Sequence, residues 1–397
     1  MITLSQRISQ LSESETLAMA RKSRELKAQG IDVINLSLGE PDFFTPDFIK
    51  EAAKKAIDEN YSFYTPVNGY QELRQTICNK LKRDNQLDFV PDQVVVTTGA
   101  KQALINALLC LVNPGDEVII PAPYWVSYRD MTKLAQGEAV YISAGIENDF
   151  KITPGQLEAA ITPKSRVFLF SSPCNPTGSV YSRQELKAIA DVLEKHPNIY
   201  ILSDEIYELI NFMGKHESIA QFENIRQRVI IINGVSKGFA MTGWRLGYLA
   251  AHPDIANACT KLQGQFTSGT NSIAQRAAIA ALEVQPEITH AMLHKFMERR
   301  NLMLGLMKEI PGLVTNKPDG AFYLFPNAKY YLGKTDGHTS IENVSDLCMY
   351  LINKAHVALV PGDAFGDPEC IRISYATSNE LLVEAVVRIK KALSALK

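Results

Sequence analysis

Lys237 lies in Asn233-Gly-Val-Ser-Lys-Gly-Phe-Ala-Met-Thr-Gly-Trp-Arg-Leu-Gly, directly behind the apolar run at 229–232. A lysine flanked by small residues at the end of a buried strand has two readings. It is a loop lysine in solvent, or it is a desolvated amine near other cations, which gives up its proton easily and can form a Schiff base with a carbonyl. Its neighbours favour the second. Ser236 is adjacent, and Arg245 follows in the same segment. A hydroxyl, a guanidinium fork and backbone N–H groups together suit a phosphate. Gly99 and Ala100, behind the apolar run at 94–96, offer more amides to that phosphate, or make a plain strand-to-helix turn.

Other candidates also sit at the ends of apolar runs. Asp204 closes Tyr200-Ile-Leu-Ser-Asp. A carboxylate there can pair with a pyridinium nitrogen and keep the ring an electron sink, or it can cap a helix. Tyr207 reaches the same ligand or belongs to the core. Asn175, in Ser172-Pro-Cys-Asn-Pro-Thr-Gly, is held between two prolines as a rigid polar group, or marks a structural turn. Trp125 offers a flat face for ring stacking, or is a core aromatic. Arg372, in Ile-Arg-Ile-Ser-Tyr, alternates with two isoleucines and provides a bidentate receptor for a carboxylate, or a surface ion pair. No GxGxxG and no GxxxxGK[ST] occurs, so dinucleotide and P-loop readings lack their fingerprints.

The elements that carry these residues follow one pattern. Helical stretches at 46–59, 70–83 and 182–195 alternate with short apolar runs at 94–97, 117–120, 167–170, 200–202 and 229–232. Runs nearly continuous in apolar residues are strands buried on both faces, and strand–helix alternation predicts an α/β fold with a mainly parallel sheet. Each run ends in polar or turn residues, and ligands bind at the carboxyl edge of such sheets. Upstream, a helix is expected within 4–29, stopped by Gly30, then a strand over 31–38. After about residue 290 an amphipathic stretch at 289–308, strands at 321–325, 357–360 and 371–375, and helices near 341–354 and 379–396 predict a smaller α+β domain.

The bulk properties exclude several classes. With 41 Lys+Arg against 43 Asp+Glu among 397 residues, there is no basic excess for nucleic acid. Residues 1–45 lack the length and basic character of a helix-turn-helix module, which speaks against a cofactor-binding sensor of a transcription regulator. The six cysteines form no CxxC, so neither zinc nor any other metal is expected, and free thiols suit a reducing compartment. The start of the chain shows no signal peptide and no apolar run reaches membrane-span length, so a soluble, cytoplasmic protein is expected.

Taken in order, Ser37-Leu-Gly-Glu-Pro-Asp, Tyr64-Thr-Pro-Val-Asn-Gly, Pro123-Tyr-Trp-Val-Ser-Tyr, Ser172-Pro-Cys-Asn-Pro-Thr-Gly, Ser203-Asp-Glu-Ile-Tyr, Ser236-Lys-Gly-Phe-Ala-Met-Thr-Gly-Trp-Arg-Leu-Gly-Tyr, Gly320-Ala-Phe-Tyr and Arg372-Ile-Ser-Tyr-Ala-Thr make the chain resemble the fold-type-I aspartate aminotransferases, in particular the bacterial subgroup related to the thermophilic enzymes. The resemblance implies pyridoxal 5'-phosphate held by Lys237, with Asp204 on the ring nitrogen, Asn175 and Tyr207 on the ring hydroxyl, and Trp125 stacked on the ring. It places Gly99, Ala100, Ser236 and Arg245 on the phosphate, joined by Tyr64 from the partner subunit of a homodimer. It places Arg372, Gly39 and Asn175 around the substrate α-carboxylate, with Trp125 beside them. Lys101 falls where a lysine grips the distal carboxylate of aspartate, and Thr16 resembles a second contact closing over the substrate. Cys174 departs from the pattern, since close relatives often carry Asn there. A large domain over 46–289 and a small domain from 1–45 and 290–397 are implied. So is ping-pong conversion of L-aspartate and 2-oxoglutarate to oxaloacetate and L-glutamate. Aminotransferases for aromatic amino acids, prephenate or alanine, and a β-lyase on the same scaffold, are the alternatives.

Overall fold

The apolar runs become strands because their branched and aromatic side chains find cover on both faces. The computed structural model describes residues 4–13 and 15–397. Among the described residues the strands are β1 (Ile34–Asn35), β2 (Val94–Thr97), β3 (Glu117–Ala122), β4 (Glu138–Ser143), β5 (Ser165–Ser171), β6 (Tyr200–Asp204), β7 (Val229–Gly234), β8 (Gly247–Ala250), β9 (Tyr323–Leu324), β10 (Val357–Ala358), β11 (Val360–Pro361) and β12 (Ile371–Ser374). Seven of them form one sheet in the order β2-β8-β7-β6-β5-β3-β4. Strands β3 to β7 run parallel, while β8 is antiparallel to both of its neighbours.

Alternate residues of these strands feed two cores. Phe168, Ile201 and Ile231 pack with Leu73 and Ile77 of the helix Gln71–Asn85 and with Leu186 and Ile189 of Arg183–Glu194. Val167, Leu202 and Ile230 pack on the opposite face, with Leu104 and Leu108 of Ala100–Leu111 and Ile255 of Pro253–Phe266. That two-sided burial is why the runs carry no polar residue between the apolar ones.

A further core gathers Met19 and Leu26 of the helix Glu15–Ala28, Phe296 and Met303 of His290–Met307, Leu351 of Val344–Lys354 and Ile389 of Asn379–Leu393. It surrounds the small sheets β1-β10 and β11-β12-β9. Because β1 pairs with β10, the segment that follows β1 is drawn from the start of the chain to the carboxyl edge of the large sheet.

The sequence-based elements differ from the observed ones in definable ways. The first helix is split into Gln6–Ser9 and Glu15–Ala28, and Gly30 follows with φ +84° as a C-terminal stop. The expected strand at 31–38 pairs only over β1, and that at 357–360 is divided into β10 and β11, which join different sheets. Strands β4 and β8 are additions. β4 is an edge strand with half-exposed residues, so its apolar pattern is diluted. β8 begins immediately behind the Lys237 loop, where glycine and arginine hide a strand of four residues.

Ile231, at the centre of the sheet, is 0% exposed. Ile231→Ala is expected to cost about 2–5 kcal/mol through the cavity it leaves. Equilibrium unfolding in urea checks this, and an unchanged midpoint would contradict the central placement of β7.

Candidate active site

The chemistry-bearing residues converge on one cavity of about 270 Å³ at the carboxyl edge. It is lined by Thr16, Gly39, Ala100, Lys101, Trp125, Asn175, Asp204, Tyr207, Ser236, Lys237, Arg245 and Arg372. Asp204 ends β6. Ser236, Lys237 and Arg245 belong to the loop that turns β7 back into antiparallel β8, and Arg372 lies in β12. The sheet edge and the further core thus each supply part of one site.

Lys237 Nζ donates to the Gly39 carbonyl. Burial pushes the amine down to about 8, with Glu40 opposing the shift and Arg372 and Arg245 adding to it. The solvent-exposed reading of Lys237 is therefore discarded. Asp204 is buried, and its Oδ2 accepts from the Tyr128 hydroxyl at 2.7 Å while Oδ1 accepts from the Ile206 N–H at 3.3 Å. Burial raises the carboxyl to about 6, against the lowering effect of those two hydrogen bonds. Asp204 caps no helix; its carboxylate faces the cavity.

Arg372 is 1% exposed, which removes the surface ion-pair reading. Its Nη1 donates to Asn175 Oδ1 at 3.0 Å and its Nη2 to the Ser37 carbonyl at 2.7 Å. The guanidinium also lies 4.6 Å from the Tyr323 ring centroid and 4.8 Å from that of Phe365. Its Nε is buried without a partner. Lys101 Nζ stands 4.9 Å from the Trp125 ring centroid, and burial together with Arg245 lowers its pKa. Thr16 brings a buried hydroxyl that makes no hydrogen bond among the described residues.

The helix Ala100–Leu111 opens at the cavity with no side-chain cap, so its first amides are free to meet an anion. Two glycines allow this. Gly99 has φ +78°, and a Cβ on it would stand 2.6 Å from Arg245 Nη2. A Cβ on Gly247 would stand 2.3 Å from the Ala100 backbone nitrogen, so only glycine lets β8 carry the helix N-terminus this close. Arg245 Nη1 donates to the Thr242 carbonyl at 2.9 Å.

Gly99 does not line the cavity; it lies against the Arg245 guanidinium, at the start of the helix whose next residue, Ala100, does. Tyr64 does not enter the cavity within this chain; it is 98% exposed. Cys174 is enclosed near Asn175, its thiol 3.7 Å from the Pro123 carbonyl, and leaves the Asn175–Arg372 contact intact. Two residues had no assigned role in the sequence reading. Tyr128 holds Asp204, and Tyr323 shares a 2.7 Å hydrogen bond with the Tyr207 hydroxyl. Tyr128 follows Trp125 by one helical turn, and Tyr323 lies on a strand expected from the sequence. The signals were the spacing and the strand; the pairing is tertiary.

Among the described residues, four cations (Lys101, Lys237, Arg245 and Arg372) line this cavity against one carboxylate, Asp204, and none has a carboxylate within 4.0 Å. Such a site receives anions. One buried amine is free to react, the Arg245–Ser236–Ala100 corner suits a phosphate, and Arg372 and Lys101 suit carboxylates.

This fold is that of the aminotransferases of class I and II, and the chain belongs to that family, whose model matches residues 31–389. Family members use pyridoxal phosphate. The chain is 48% identical over 401 residues to a bifunctional aspartate aminotransferase and glutamate/aspartate-prephenate aminotransferase of Petunia hybrida, covering 100% of this chain and 84% of that one. Its structure superposes on the aspartate aminotransferase of Rhizobium meliloti with a TM-score of 0.96 at 40% identity, covering 100% of both chains. It also matches the Thermus thermophilus aspartate aminotransferase with maleate, at a TM-score of 0.92 and 36% identity, over 99% of this chain and 100% of the other.

An amine lowered to about 8 is half neutral near pH 8. In the cofactor-free protein, labelling of Lys237 by an amine-reactive reagent, followed by peptide mass mapping, should rise with a midpoint near that pH. A midpoint close to the ordinary lysine value of about 10.4 would contradict the site as described.

Proposed function

We propose that this chain is a pyridoxal-phosphate-dependent aspartate aminotransferase that converts L-aspartate and 2-oxoglutarate to oxaloacetate and L-glutamate by a ping-pong route. The observation that carries the reading is the excess of unpaired cations around a buried, easily deprotonated lysine. The residues present fit the cofactor. Lys237 offers the amine that holds it, Asp204 the carboxylate for its ring nitrogen, Asn175 and Tyr207 polar groups for its ring hydroxyl, and Trp125 a face for its ring. Ser236, Arg245, Gly99 and Ala100 form the phosphate corner. When bound, the cofactor supplies an aldehyde and an electron-withdrawing ring that stabilises negative charge at the substrate α-carbon.

The chain's own groups supply the rest. Arg372, backed by Asn175, takes the α-carboxylate on its fork, beside the Gly39 backbone. Lys101, with Thr16 and Trp125 beside it, takes the distal carboxylate, in keeping with the maleate of the Thermus thermophilus structure. Lys237 Nζ would take the proton from the substrate α-carbon and deliver it to the former aldehyde carbon of the cofactor, the one transfer that an amino-to-keto exchange requires. Asp204, ionised at neutral pH and steadied by Tyr128, holds the ring nitrogen's proton in place. Burial of Arg372 and Lys237 strengthens each of these interactions by removing competing water.

The reading includes a cytoplasmic homodimer in which Tyr64 reaches the partner's phosphate corner. The exposed Phe44, Phe63, Tyr64 and Phe266 support it, because four large aromatic side chains turned outward ask for cover. It also takes 46–289 as a large domain and 1–45 with 290–397 as a small one, so that Lys237 and Arg372 stand on different bodies. Prephenate is a second acceptor favoured by the petunia relative's name, and as a dicarboxylate it would use the same two cations.

Absorbance of the cofactor-loaded protein, before and after L-aspartate without any keto acid, tests the reaction. Conversion of the visible band to the near-ultraviolet band of the amine form is expected. A band that ignores aspartate but responds to tyrosine or alanine overturns the role of Lys101 and keeps the class. Restoration of the visible band by prephenate as well as by 2-oxoglutarate would establish the second acceptor. Lys237→Ala should abolish turnover while the protein still folds. Arg372→Lys should lower kcat/KM for aspartate by about 30-fold, the loss of a charge-assisted hydrogen bond of about 2 kcal/mol. An unchanged kcat/KM in that variant would remove Arg372 from the substrate site.

A further inference from the structure

Behind the strand end that carries Asp204 and Tyr207 lies a second group of buried charges with no part in the proposed reaction. The backbone turns after β6 through Asp204-Glu-Ile-Tyr-Glu, with the Glu208 N–H donating to the Glu205 carbonyl at 2.9 Å and the Glu205 N–H to the Ile232 carbonyl of β7 at 2.8 Å. Residues three apart in this turn share a side. Asp204 and Tyr207 line the cavity, while Glu205 and Glu208 do not and are buried elsewhere.

Both glutamates are satisfied. Glu205 accepts from the hydroxyls of Ser203 at 2.9 Å and Ser218 at 2.6 Å and pairs with His216 Nε2 at 3.0 Å. Glu208 is met by the Lys80 ammonium, by Asn85 Nδ2 at 2.7 Å and by Asn233 Nδ2 at 2.6 Å. Burial opposes its ionisation, but Lys80 and His216 hold the Glu208 carboxyl at about 2. Glu208, the centre of this clamp, is thus ionised at neutral pH. Asn233 is the link that matters. It lies in β7, in the segment that runs into Lys237, and its Oδ1 accepts from the Gly234 N–H at 2.7 Å. One carboxylate therefore ties the turn bearing Asp204 and Tyr207 to the strand leading to Lys237.

A buried ion pair is a poor source of stability, since apolar groups of the same volume commonly serve as well. Its use here lies in direction. Hydrogen bonds to a charged carboxylate are short and angular, and fix two strand ends more narrowly than apolar contact does. We propose that Glu208 is a positioning residue which, through Asn233, sets Lys237 in register with Asp204 and Tyr207. This rests on the cofactor reading given above.

The test compares Asn233→Ala, which removes the link but leaves Lys80 paired with Glu208, with Glu208→Gln, which keeps the shape and removes the charge. Three quantities are measured on each full-length protein: the Kd for pyridoxal phosphate added to the cofactor-free form, the pH midpoint of the bound cofactor's visible absorbance, and the Tm without cofactor. Asn233→Ala is expected to weaken cofactor binding about tenfold, equivalent to about 1.4 kcal/mol. Its absorbance midpoint is expected to move by about half a pH unit. If Glu208→Gln fails to fold, Asn233→Ala decides alone. A lowered Tm with unchanged Kd and midpoint would mark the clamp as merely structural and overturn the proposal. Failure of the wild-type protein to take up pyridoxal phosphate would overturn the cofactor reading and this inference with it.

Discussion

Burying Lys237 and Arg372 with no carboxylate of the described residues within 4.0 Å costs free energy that solvent exposure would avoid. The chain carries that cost at the carboxyl edge of its sheet, and much of its architecture serves to hold it there. Arg372 is steadied by the Asn175 side chain, the Ser37 carbonyl and two aromatic faces, none of which neutralises it. Lys237 rests on the Gly39 carbonyl, again a neutral acceptor. Neutral acceptors orient a cation and leave its charge for a ligand, whereas a carboxylate in their place would satisfy it internally and close the site.

This constraint explains why the site draws on distant segments. Ser37 and Gly39 arrive because β1 joins β10, and Arg372 because β12 lies between β11 and β9. Lys237 and Arg245 arrive because β8 returns antiparallel beside β7 and keeps both ends of their loop at the ligand edge. The antiparallel strand interrupts an otherwise regular parallel pattern, and the chemistry is placed in the connection that creates the interruption.

The polar residues fall into two tiers. Asn175, Asp204, Tyr207, Ser236, Lys237, Arg245 and Arg372 face the cavity, joined by Tyr128 and Tyr323, which hold Asp204 and Tyr207, while Glu205, Glu208 and Asn233 are buried behind them. The supporting tier is fully enclosed, so its hydrogen bonds are strong and its geometry narrow. The same enclosure raises Asp204 to about 6, a value that a positively charged ring nitrogen opposite it would bring back down.

Motif residues close together in sequence were legible without coordinates. Ser236, Lys237 and Arg245 share one loop, Gly99, Ala100 and Lys101 share one helix start, and the apolar runs that precede them reveal buried strands by their unbroken hydrophobicity. Local chemistry and the α/β class follow from such patterns because backbone periodicity and strand burial are short-range properties. What the tertiary structure decided is whether each candidate meets the others. Asp204 as a helix cap, Arg372 as a surface ion pair and Lys237 as a solvent lysine are all locally acceptable, and only burial in one shared cavity removes those readings. The pairings of Tyr128 with Asp204, Tyr207 with Tyr323 and Glu208 with Asn233 span separations that no periodicity encodes, because they depend on strand order and on the return of β8. The residue types were written in the chain; that, among the described residues, no carboxylate lies within 4.0 Å of the four cations is a property of the folded arrangement alone.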